Sequence, residues 1–198
     1  MIQDKIDTEE PITLKIQFQE PLPTFFQLHR DGNPYYFRHL DGKTSVININ
    51  LPEHGQYTTD KPFHIIQRTP IQMFDTRKIK LPRPDRHLPI DKIKVELNKR
   101  GDMGTTPARI FPKLQIIEVS PEFYKYPPPI RAFILFHELG HMFYNHEVNA
   151  DLFALKMFLD RGYNGSMAFY ALSHILKTSK PNMIRLQKVF SHLMNYDK

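Results

Sequence analysis

The stretch "ILFHELGHMFYNHEVNADLFAL", Ile134–Leu155, carries two histidines four residues apart with a glutamate between them, and a second acidic pair follows at once. On a helix, residues i and i+4 project from one face about one turn apart. His137 and His141 therefore present two imidazole nitrogens to the same point, a spacing that suits a single metal ion with ligands at about 2.0–2.1 Å. Glu138 is rotated by about 100° around the helix axis. It stands off that ligand pair and reaches the open coordination position, where a general base is needed. Ile134, Leu135, Leu139, Met142 and Phe143 surround these residues, so the histidines lie on a core-facing stripe, where polar groups are costly without partners. Gly140 has no helix-propensity reason, since Ala would be better by about 1 kcal/mol. A neighbour packed against the backbone there is expected.

A catalytic site of this kind takes a third protein ligand and keeps a fourth place open. Glu147 and Asp151 are candidates, and they too are four residues apart. A break near Tyr144 to His146 turns the two helices into an antiparallel hairpin. Counted outward from that turn, Glu147 falls opposite His141 and Asp151 opposite His137. Glu147 is then expected to complete the metal shell, and Asp151 to take a hydrogen bond from the non-metal nitrogen of His137, fixing its tautomer. His146 and Asp151 are the rivals for third ligand. Glu147 is preferred because it alone brings a partner one turn later.

The segment "HELGH" resembles the zinc-binding helix of the zincin metallopeptidases, and "EVNAD", Glu147–Asp151, resembles the ExxxD helix of their gluzincin branch. The resemblance spans about 110–163. It implies a zinc ion held by His137, His141 and Glu147, with Asp151 orienting His137 and Glu138 as catalytic base. It also implies a strand before the helix at the edge of the substrate cleft, for which "LQIIEV", Leu114–Val119, is the candidate. His141 and Glu147 are only six residues apart, shorter than in most gluzincins. That spacing matches the metzincin pattern HExxHxxGxxH, but Tyr144 stands at its Gly and Glu147 at its last His.

The chain of 198 residues has 40% hydrophobic and 12% aromatic residues, which is globular composition. It has no Cys, so disulfides, thiolate metal ligands and a Cys nucleophile are excluded, and a metal must be held by His and carboxylate. The net charge is +6. Lys and Arg are spread along the chain without a block, which reads as a solvated basic surface and leaves a nucleic-acid partner open. The first residues are charged and lack an apolar signal region, and no apolar run approaches the ~20 residues of a membrane span. A cytoplasmic or virion-associated protein that does not enter a membrane is expected.

Alternating apolar residues predict strands at "ITLKIQF" (12–18), "SVININL" (45–51) and "PFHIIQ" (62–67), and a hairpin joining "TFFQLHR" to "YYFRHL" across "DGNP". Further turns are expected at 41–43 and 52–56. The Pro-rich "LPRPDRHLP" (81–89) reads as a linker, "DKIKVELN" as a returning strand, and "NKRGDMGTTPAR" as a loop. Helices are expected over about 130–144, 147–160 (ended by Gly162), from Ser166 to before Pro181, and over 182–196. The fold class is therefore α+β. A β-rich half, 1–90, forms an antiparallel sheet or small sandwich. A compact zincin-like domain, 91–198, follows with an edge strand and about four helices.

The expected function is zinc-dependent peptide-bond hydrolysis of a protein or peptide substrate lying along 116–119. A different class of function is a zinc-stabilised structural or interaction protein, for instance of a phage or viral particle. A third is a peptidase acting on DNA-bound proteins. Oxyanion donors are sought among Tyr170, His174, Arg185 and His192. The remaining histidines, His29, His39, His54, His64 and His87, read as surface or structural groups.

Overall fold

The computed structural model describes residues 3–19, 25–30, 32–39, 45–71, 75–86, 92–104, 106–175 and 180–194. The turn expected at 41–43, the end of the expected linker at 87–89 and the close of the third and fourth helices fall outside them. Two compact units emerge, Met1–Phe74 with Leu159–Met167, and Asp75–Phe158 with Ala168–Lys198.

The first unit is an antiparallel sheet of β1 (Gln3–Thr8), β2 (Ile12–Phe18), β3 (Phe25–Arg30), β4 (Asn33–His39), β5 (Val46–Leu51) and β6 (Gly55–Pro70). The order is β4-β3-β6-β2-β5, with β1 also on β6. The 16-residue β6 organises the rest. Its first part pairs with β1 and β3, and its second with β2 after a register shift near Ile65. Alternation does the work expected of it: Leu14, Ile16 and Phe18 of β2 and Ile47, Ile49 and Leu51 of β5 are all buried, because every second side chain shares a face. Phe26, Leu28, Tyr57 and Phe63 complete that core. Strand β1 was not foreseen; its residues "QDKIDT" place a single apolar side chain, Ile6, in the core.

The segment Leu159–Met167 belongs to this unit through three local devices. Asn164 brackets the backbone of Asn50, accepting from its N–H at 3.1 Å and donating to its carbonyl at 2.8 Å. Tyr163 donates to Glu53. Gly162 has φ +81°, a left-handed conformation that favours glycine, and a Cβ there would also push aside Ile71 Cδ1.

The second unit holds a three-stranded sheet of β7 (Lys94–Leu97), β8 (Ala108–Phe111) and β9 (Ile116–Val119), in the order β7-β9-β8. Strand β9 pairs in parallel with β7 and antiparallel with β8. The strand expected at the cleft edge, Ile116–Val119, is thus the central one. The edge beside the first helix is β8, whose residues were expected as the end of a loop. It is four residues long and includes an Arg, too short to show a period.

Helices α1 (Pro128–Gly140), α2 (Glu147–Asp160), α3 (Gly165–Ile175) and α4 (Lys180–Met194) follow. Helix α1 starts with prolines in its first turn, where the missing N–H costs nothing. It ends at Gly140, and six residues, 141–146, then lead to α2. A Cβ on Gly140 would stand 2.8 Å from Ala150 Cα. The glycine is what lets α1 and α2 approach this closely. Phe133 and Phe158 meet edge-on at 5.6 Å between the same two helices.

The Pro-rich stretch expected as a linker is pinned over its described part. The N–H groups of Asp85 and Arg86 donate to the Phe143 carbonyl at 2.9 and 3.3 Å, Asn145 N–H donates to Asp85 at 2.8 Å, and Tyr144 hydroxyl to the Pro82 carbonyl at 3.1 Å. Arg86 Nη2 donates to the His141 carbonyl. A helix leaves its last carbonyls without partners, and this extended segment supplies donors to those just past α1. The segment Asp75–Phe158, which includes this stretch, groups with the second unit.

Candidate metal centre

Helix α1 brings His137 and His141 to one face, and α2 brings Glu147 against them. The two Nε2 atoms are 3.2 Å apart. Glu147 Oε2 lies 3.5 Å from His137 Nε2, and Oε1 lies 3.5 Å from His141 Nε2. Ligands about 2.05 Å from one tetrahedral ion are separated by about 3.3 Å. The three side chains therefore enclose a hole of the right size for a small divalent cation, and this cluster could hold a metal. The set is two imidazoles and a carboxylate with no thiolate, which suits zinc among several first-row metals.

The other nitrogen of each imidazole is held. His141 Nδ1 lies 3.1 Å from the Tyr144 carbonyl, within the turn between the helices. His137 Nδ1 lies 2.8 Å from Asp151 Oδ1, a charge contact whose angle misses that of an aligned hydrogen bond. Both contacts leave Nε2 directed at the common point.

Exposure separates the two carboxylates of α2. The Glu147 side chain is 55% exposed, and Asp151 is 0% exposed. Asp151 is enclosed by His137 and by Arg185 of α4, whose Nε and Nη2 grip it at 2.7 and 2.9 Å. Nη1 of the same Arg185 reaches Glu147 Oε2 at 3.0 Å. His146, the rival ligand, is outside the cluster: its side chain is exposed, and its carbonyl accepts from Asn149 and Ala150 at the start of α2.

Glu138 points elsewhere, accepting from the Ile110 N–H of β8 at 2.9 Å. It lines a cleft of about 760 Å³ together with His137, His141, Glu147, Arg86 and Arg185. Burial raises its pKa to about 7, against the opposing pull of His137 and the Ile110 N–H. For His137, burial pulls downward, but Asp151 and Glu147 outweigh it and raise the imidazole to about 9. His141 is lowered by burial and then by its charged neighbour His137. His137 and then Arg185 help hold Glu147 down at about 2. Burial opposes the charge of Asp151, yet Arg185 and His137 keep its pKa lowered.

Of the oxyanion candidates, Arg185 is engaged by the two carboxylates, and Tyr170 and His192 do not line the cleft. The side chain of His174 and residue His87 fall outside the described residues, as does the side chain of His39. His29, His54 and His64 belong to the first unit. Two contributors escaped sequence reasoning: Ile110, through its backbone N–H, and Arg185 in its carboxylate-clamping role. A signal for Arg185 existed, since it sits four residues before the fully buried Val189 of α4 and so shares its inward face.

Among the described residues, no helix is long and apolar enough to cross a membrane. Compared with known proteins, the chain matches no family model, no curated protein and no solved structure at a significant level.

Proposed function

We propose that the protein is a zinc-dependent peptidase of gluzincin-like chemistry. The observation that carries this reading is the triangle of His137 Nε2, His141 Nε2 and a Glu147 carboxylate, with sides of 3.2, 3.5 and 3.5 Å, with Glu138 beside it in an open cleft. A bound Zn²⁺ would act as the Lewis acid that lowers the pKa of a water and polarises the scissile carbonyl. Glu138 is the general base. Its pKa of about 7 suits a group that takes a proton from water and returns it to the leaving amine near neutral pH. Arg185 and Asp151 hold Glu147 and His137 in position.

The substrate strand lies along β8 and not, as first expected, along Ile116–Val119. Ser120 N–H donates to the Pro107 carbonyl at 2.9 Å, so by antiparallel alternation Arg109 and Phe111 bond inward to β9, while Ala108 and Ile110 turn their backbone groups outward. The outward Ile110 N–H is taken by Glu138, so an extended peptide can add to that edge through the backbone of Ala108 and the carbonyl of Ile110 and place a carbonyl near the metal. The test is metal analysis of the purified protein, followed by incubation of the zinc-loaded form with an unbiased peptide library. Stoichiometric zinc with peptide cleavage is expected. A zinc-loaded protein that cleaves nothing would favour the scaffold role instead.

A further inference from the structure

Three arginines line the cleft, and their electrostatic situations differ. Arg109 is paired with Glu118 at 3.1 Å and Asp102 at 3.5 Å. Arg185 is paired with Asp151 and Glu147 at 2.7 and 3.0 Å. Arg86 has no carboxylate within ion-pair distance among the described residues. Its Nη2 is fixed on the His141 carbonyl, its backbone N–H on that of Phe143, and its Nε is buried without a hydrogen-bond partner. The guanidinium is thus partly buried, held in one place next to a metal-site histidine, and uncompensated among the described residues. A cation in that state costs free energy until an anion reaches it. Filling the metal site adds positive charge nearby and increases the demand.

We propose that Arg86 is a specificity-determining residue, receiving a carboxylate of the substrate on the His141 side of the cleft. This rests on the peptidase reading above. Two sources offer that group: an Asp or Glu side chain, or the C-terminal carboxylate of a peptide. Guanidinium and carboxylate make charge-assisted, bidentate bonds, so the preference over a neutral residue is about 10- to 100-fold.

The experiment uses the full chain loaded with zinc and two peptide libraries, one amidated at the C-terminus and one with free carboxylates. Enrichment of Asp or Glu at a fixed position in the amidated library identifies the side chain as the source. Cleavage confined to a fixed distance from a free C-terminus identifies the terminal group. Arg86→Gln removes the charge together with the terminal donor to the His141 carbonyl, and Arg86→Lys separates the two by keeping a charge. Arg86→Gln should keep zinc content and erase either preference. Arg86→Lys should retain part of the preference. Absence of both preferences in the wild type, or their persistence in Arg86→Gln, overturns the proposal. Should no peptide be cleaved, the readout is calorimetric binding of succinic monohydroxamate against butyric hydroxamate. A roughly 10-fold advantage of the former that Arg86→Gln removes upholds the anion site and overturns only the peptidase reading. Equal binding, or none by either, overturns the anion site.

Discussion

The two units solve burial in opposite ways. The first unit encloses a nearly uniform apolar face in which Leu14, Ile16, Ile49, Leu51 and Phe63 are all 0% or close to it in exposure. The second encloses charge: Asp151, fully buried, sits between His137 and the fork of Arg185. Apolar area buried on folding stabilises at about 25 cal/mol per Å². A buried ion cluster contributes little or nothing net, because desolvation offsets the attraction, although removing one member is costly. The first kind of interior holds a fold together. The second holds Glu147 and His137 in one geometry.

The largest effect that sharpens this contrast is on chemistry alone. Glu138→Gln should leave zinc content and melting unchanged and lower hydrolysis by about 10²–10⁴-fold. Retained activity in a metal-loaded variant would remove Glu138 as the base. In the apolar unit, Phe63→Ala should cost about 3–5 kcal/mol in chemical denaturation, with zinc stoichiometry of the folded protein untouched. In the charged unit, Arg185→Met leaves Asp151 buried without its main partner. A loss of about 3–5 kcal/mol is expected, this time with weakened zinc binding. Equal zinc affinity in this variant and the wild type would mean that the clamp on Glu147 and Asp151 plays no part in the metal site.

A smaller effect is expected from Asp151→Asn, which keeps shape but loses the charge beside His137. Zinc affinity should fall by about 10–100-fold without vanishing. Complete metal loss would make Asp151 a ligand in its own right. A further effect is on pH. In the metal-free protein His137 is raised from 6.5 to about 9. Its contribution to stability is full below pH 6.5 and is lost as pH rises through about 9. Chelated protein should therefore melt lower at pH 9.5 than at pH 6.5, and stoichiometric zinc should remove much of that difference by replacing the proton. A melting temperature of the chelated protein that stays level or rises over that range would contradict the assignment of the raised imidazole.

Sequence alone reached the parts of this molecule that depend on local period. His137 with His141, and Glu147 with Asp151, are each i and i+4 on helices, and 3.6 residues per turn brings such pairs to one face whatever surrounds them. Strand alternation in "ITLKIQF" and "VININL" has period two and survives in the burial pattern of β2 and β5. Gly140 was legible as an anomaly, and Ala150 is its cause. Tertiary structure decided what has no period. Arg185 meets Asp151 across 34 residues, Ile110 meets Glu138 across 28, and Arg86 meets His141 across 55. Prolines at 82 and 84 look the same in sequence whether the chain is a free linker or an extended segment capping a helix end. Likewise, four residues of β8 cannot announce that they form the edge beside the cleft. Such assignments depend on which distant donors and carbonyls packing leaves unpaired, and that is settled only when the elements meet.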